Sequence, residues 1–226
     1  MQALDWFTRN QEKDGHWDGP SGHGHAATGM AMLAYMGWGA KHTEPGPYQK
    51  SLAKAVDWMV KHTGPDGDLR GARGRNFMYD HGIAAIAIAE AYSLTKDPKL
   101  RSVVERVVEF TVRAQNPKTG GWRYRPYGEE RYTDRGDMSV TGWQIMALKS
   151  AQIGGIEVPM KSLDRALMFM DRVGGGRNNS IYGYVTKSNP NPAMVSEGMF
   201  CQQLLRQHAI DRSLATPRTI DLRVVE

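Results

Sequence analysis

Four glycines recur at Gly29, Gly82, Gly142 and Gly198, and the residues just ahead of them carry what chemistry this chain offers. Tyr79-Asp80-His81 precedes Gly82, Asp137-x-Ser139-x-Thr141 precedes Gly142, Ser196-Glu197 precedes Gly198, and His23, His25 and Thr28 precede Gly29. Carboxylates and imidazoles can move protons or face developing charge, so Asp80, His81, Asp137 and Glu197 are the candidate catalytic residues. Beside them Tyr79, Arg135, Ser139 and Thr141 offer polar contacts, and Trp143 and Phe200 offer apolar surface, as a candidate binding set. A plainer reading stands next to this one: Asp80 and Asp137 are ordinary residue types for capping a helix N-terminus. His23, His25, His81 and Asp80 are of zinc-binding types, but His-x-His in a glycine-rich loop is a weak spacing, and no metal or cofactor is expected. Cys201 stands alone and reads as a small core residue.

What would bring these residues together is a repeat. Trp6 and Trp58 are 52 residues apart, Trp58 and Phe110 are 52 apart again, and Phe169 follows after 59. A glycine turn succeeds each of these helix-like stretches, at Gly15-His16-Trp17, Gly67-Asp68-Leu69, Gly121-Trp122 and Gly183-Tyr184, and a second helical run then begins near the recurring glycine. The first helix of each pair carries charge on one face (Lys50, Lys54, Asp57, Lys61; Arg101, Glu105, Arg106, Glu109). The second is rich in Ala, Gly and Met at three- and four-residue steps, as at Met30, Leu33, Ala34 and Gly37. Charged helices therefore belong outside and small-residue helices inside, with Pro47, Pro98 and Pro159 just ahead of outer helices. Parallel inner helices place their N-termini at one end, where unpaired N–H groups and dipoles favour carboxylates and anions. Residues 1–210 form this repeat domain, and 211–226 a tail that is extended over Thr219 to Val225.

Gln11-x-x-x-Gly15-x-Trp17 and Gln115-x-x-x-x-Gly120-Gly121-Trp122, each after an amphipathic run, resemble the QW repeat of squalene-hopene and oxidosqualene cyclases. The same repeat family includes the β-subunits of protein prenyltransferases. The resemblance spans about Ala3 to Leu205 and implies an all-α fold, an α/α toroid, here a partial barrel of about four helical hairpins. Complete family barrels generally have more hairpins, so the ring is expected to be open, truncated, or completed by another chain or domain. The cyclases use a D-x-D-D acid at an inner-helix head; its place here reads Arg135-Gly136-Asp137-Met138, which keeps one carboxylate and loses two. An arginine beside Asp137 is expected to favour its ionised form, against a role in protonating an alkene. The prenyltransferase zinc site needs a D-x-C spacing, which Cys201 lacks.

The bulk properties fit a single domain of 226 residues with net charge +5 spread among acids rather than gathered in a patch, so no nucleic-acid partner is expected. No apolar run reaches the ~20 residues of a membrane span. One cysteine rules out an internal disulfide. Met1 stands at the edge of a helix already under way, which suggests a fragment; the location is then unreadable, and cytoplasmic if the chain is complete. The Arg123–Tyr132 segment alternates Arg with Tyr, as a clamp for a pyrophosphate or sugar or as a solvated lid. The resemblance implies a small hydrophobic, isoprenoid-like ligand in a central cavity, and a terpenoid cyclase. A noncatalytic binding or scaffold toroid is the alternative. A carbohydrate-active toroid, with Asp80 and Asp137 or Glu197 as paired acids, is a second one.

Overall fold

Eight helices alternate along the residues described by the computed structural model, which are 2–71, 78–129 and 135–215. They are α1 (Gln2–Arg9), α2 (Gly24–Gly37), α3 (Gln49–Lys61), α4 (Met78–Thr95), α5 (Pro98–Arg113), α6 (Met138–Ile153), α7 (Met160–Val173) and α8 (Pro192–Ala215). The even-numbered helices pack side by side in chain order, α2 on α4, α4 on α6 and α6 on α8. The odd-numbered helices lie outside them, α3, α5 and α7 each leaning on two inner neighbours. This is an all-α array of four hairpins in two layers, the α/α toroid arrangement. α8 runs on through Ala215, past the expected boundary at residue 210. The expected extended tail from Thr219 lies outside the described residues. One short antiparallel ladder was not foreseen: β1 (Gly174–Gly175) pairs with β2 (Ile181–Tyr182) between α7 and α8.

Composition explains the layering. α3 buries Leu52, Ala55, Val56 and Met59 and turns Lys50, Lys54 and Asp57 to solvent, so it needs only one packed face. α4 is buried from Asp80 through Ala89, because Ala, Gly and Ile let helices crowd it on both sides and from outside. Gly82 shows how close the approach is: a β-carbon there would stand 2.8 Å from the Trp143 Cβ. A β-carbon at Gly142 would collide with the Glu197 carboxyl.

The turns staple one hairpin to the next. The Gln11 amide donates to the Gly15 carbonyl (2.7 Å) and to the Ser51 carbonyl at the start of α3 (2.9 Å). Gln115 repeats this with Gly120 (2.8 Å) and Ser162 at the start of α7 (2.9 Å), and its carbonyl accepts from the Ser162 hydroxyl. The buried indoles donate to the preceding outer helix, Trp17 to the Phe7 carbonyl and Trp122 to that of Thr111. Their backbone N–H groups donate to Thr28 and Thr141 on the inner helices. In the second hairpin Thr63 and Leu69 stand where Gln and Trp would be, and Arg113 donates to the Asp66 carbonyl instead. The turn glycine of the third hairpin is Gly120 rather than Gly121. Gly15, Gly67 and Gly120 all take positive φ (107°, 91° and 82°) and press on backbone of the next outer helix at Lys54, Arg106 and Arg165.

The inner-helix heads are closed the same way. The Ala26 N–H in the first turn of α2 donates to Asp80 (3.1 Å), from the second hairpin. Met78 at the head of α4 donates to the Tyr124 carbonyl (3.2 Å), and Met138 at the head of α6 to that of Tyr184 (2.8 Å). Each of these three bonds is to a group of the hairpin that follows.

Candidate functional site

Asp137 is the N-cap of α6 and fully buried. Its Oδ1 accepts from the Val140 N–H (3.0 Å) and the Ser139 hydroxyl (2.6 Å), while Oδ2 accepts from the Arg123 guanidinium (3.0 Å). Arg135, expected beside it, is exposed, and the cation that reaches the carboxylate is Arg123. Burial pushes the Asp137 carboxyl up, and the Ser139, Val140 and Arg123 bonds pull it back only in part. The net direction is thus the reverse of what a neighbouring Arg135 would give.

Ser139 extends this network across to α4. Its oxygen lies 2.5 Å from the Tyr79 hydroxyl, and since Ser139 donates to Asp137, the Tyr79 O–H donates to Ser139. Burial raises the Tyr79 phenol to about 12, so it stays a donor at neutral pH. On the other side Arg123 lies over the rings of Tyr124 and Tyr184, 4.7 and 5.4 Å from their centroids, and the two hydroxyls bond to each other. The Arg–Tyr alternation of 123–124 is therefore a buttress for Asp137; Arg131 and Tyr132 lie outside the described residues. Tyr184 came without any sequence signal beyond its turn glycine.

The second carboxylate, Asp80, is equally buried and pairs with His23, Nδ1 to Oδ2 at 2.5 Å. It caps α2 across the helix boundary rather than its own helix. His81 does not join it at the opening. It occupies the place that Thr28 and Thr141 hold in the neighbouring hairpins: Nδ1 accepts from the Leu69 N–H (3.2 Å), which leaves Nε2–H to donate to Thr111 (2.8 Å). Burial lowers His81 to about 3, so it is neutral and structural. Thr141 is likewise spent on the Trp122 backbone. His25 packs on Trp58 and bonds the His62 carbonyl, and it makes no hydrogen bond with His81. Among the described residues no three metal-ligating side chains converge.

Glu197, in the second turn of α8, lies against Gly142 of α6. Its Oε1 is sealed from solvent without a hydrogen-bond partner. Burial first, then the nearby charge of Asp137, raise this carboxyl to about 8. One turn further along, Phe200 opens a groove of about 380 Å³ that all four inner helices line. Leu33, Ile86, Leu94, Met146, Ile153 and Phe200 make it apolar, and Glu90 and Lys149 are its ionisable rim. Phe200 and Ile153 are well exposed there (54% and 68%), and no described residue buries them. Tyr79 and Ser139 sit on the same helix faces as Ile86 and Met146, one to two turns nearer the heads. The polar network thus lies toward the helix heads from the groove, on the same helices α4 and α6. Of the predicted binding residues Phe200 lines the groove, Tyr79 and Ser139 belong to the Asp137 network, Trp143 packs on Gly82, Thr141 is spent on the Trp122 turn and Arg135 is exposed.

An array of outer and inner helices with Gln and Trp staples defines a cyclase-like toroid domain. The sequence profile of the squalene-hopene cyclase C-terminal domain matches residues 28–182, more than half of the chain, and the protein belongs to that family. No curated protein matches the chain. No described helix is long and apolar enough to cross a membrane.

Proposed function

We propose that the domain binds an isoprenoid chain along its inner face, with the hydrocarbon in the groove and the polar end toward the helix heads. The observation that carries this is the exposed apolar groove shared by α2, α4, α6 and α8, which a finished core would not leave in water. Family membership supports it, since the same fold in the cyclases encloses a hydrophobic substrate. Asp137 serves binding and order rather than proton transfer. Both its oxygens accept hydrogen bonds from Val140, Ser139 and Arg123, so the carboxyl is engaged in positioning Ser139 and Tyr79 and is closed off from a substrate alkene. Its locked state favours the binding module over a cyclase started by Asp137. Asp80 is engaged in the same manner, so Asp80 and Asp137 do not form an open pair of acids for glycoside chemistry.

The test is titration with squalene, squalane and farnesol, followed by tryptophan fluorescence. Saturable binding is expected, and Phe200→Ala should weaken it on the order of tenfold, the effect of losing ~1.5 kcal/mol of aromatic burial. Absence of saturable binding to all three by a protein that melts cooperatively would remove the reading.

A further inference from the structure

We propose that Glu197 is the specificity residue of this groove, its unpartnered carboxyl binding the oxygen of a neutral, singly oxygenated isoprenoid such as a prenyl alcohol. This rests on the isoprenoid-binding reading and adds the ligand's head group to it. Three features of the geometry converge. Glu197 lies on the same face of α8 as Phe200 and Leu204, three and seven residues on, both of which line the groove. Its side chain is wedged on Gly142, where no larger residue leaves room for it. Its Oε1 is buried against α6 and makes no hydrogen bond, a costly state for a carboxyl; the side chain as a whole is only half-buried, and binding turns it from Gly142 toward the groove, where the ligand oxygen relieves that cost. The polar groups around it are otherwise engaged: Tyr79 to Ser139, Ser139 to Asp137, Asp137 to Arg123.

The charge around Glu197 selects the head. Asp137 on α6 is the acidic neighbour, Tyr79 on α4 and Cys201 on α8 are held un-ionised by burial, and Tyr182 of β2 packs under Gly198 as a neutral phenol. Arg123, the cation of this network, is bound to Asp137. At neutral pH the Glu197 carboxyl keeps its proton and donates to an alcohol or carbonyl oxygen. A diphosphate would bring several negative charges beside Asp137, with Arg123 already bound.

The experiment compares squalane, farnesol and farnesyl diphosphate over pH 6–10. Farnesol is expected to bind about tenfold more tightly than the diphosphate at pH 7, and to lose that advantage as pH rises through about 8. Glu197→Gln, which keeps an N–H donor without the titration, should hold farnesol with a flat pH profile; Glu197→Ala should bind farnesol no better than squalane. If squalane binds but farnesol and the diphosphate bind alike, or Glu197→Gln keeps the pH dependence, the role of Glu197 is refuted while the groove stands. If none of the three binds, the groove is not a lipid site and both fall.

Discussion

At the scale of single residues, burial decides more than sequence neighbours do. Arg135 adjoins the acid position in the sequence, but Arg123, fourteen residues upstream of Asp137, reaches the carboxylate at 3.0 Å because the Trp122 turn folds back on the head of α6. The same holds for Glu197, whose neighbours in sequence give no hint of its surroundings. Its folded pKa of about 8 lies above an ordinary carboxyl, so the folded state holds a proton that the unfolded chain releases near pH 4.5. This contribution is complete below that value and is lost as pH rises to about 8. Thermal melts should show stability falling over this window, and Glu197→Gln should melt above the parent at pH 9 with the gap closing toward pH 5. A constant gap would mean that the carboxyl is ionised throughout. His81 acts in the opposite direction: its folded value near 3 keeps stability full above pH 6.5 and erodes it on acidification.

Elements were more legible than sites. The 52-residue spacing, the charge on α3 and α5, and the small residues of α2 and α4 are all local signals, and they foretold both layers and all four hairpins among the described residues. The QW staples were legible because a Gln and a Trp at fixed distance from a glycine have few other uses. What escaped was whatever depends on which hairpin follows. Asp80 reads as a cap for α4 and in fact caps α2, and His81 reads as a catalytic imidazole and in fact replaces a threonine. Two substitutions probe the layer contacts. Gly82→Val must displace Trp143 and Gln144 and should cost about 1–3 kcal/mol. Trp122→Ala removes an indole that is 1% exposed together with its bond to the Thr111 carbonyl, and should cost about 3–5 kcal/mol. Chemical denaturation reads both; a normal midpoint for either would contradict the packing described here.

For the molecule as a whole, the groove was legible only in part: Phe200 was expected to offer apolar surface, and it lines the groove. Leu94 and Ile153 look like core residues by type, yet they stand exposed in the groove. Their exposure depends on how four helices pack side by side, which no local pattern encodes.

The caps and staples that cross from one hairpin to another point one way, and this gives the chain an arrow in time. Gln11 and Gly15 lean on α3, Asp80 closes α2, Gly67 leans on α5, Tyr124 closes α4, Gln115 leans on α7, and Tyr184 closes α6. A ribosome releases the N-terminal hairpin first, so each hairpin emerges unfinished and is locked only when its successor has been synthesised. Removing the last hairpin, from Met160 onward, should therefore speed amide exchange at Met138 in the preceding one. Removing residues 2–9 should leave the exchange at Met138 as it was. Nascent hairpins of this domain wait on what comes next, and a stall in translation leaves the newest one exposed.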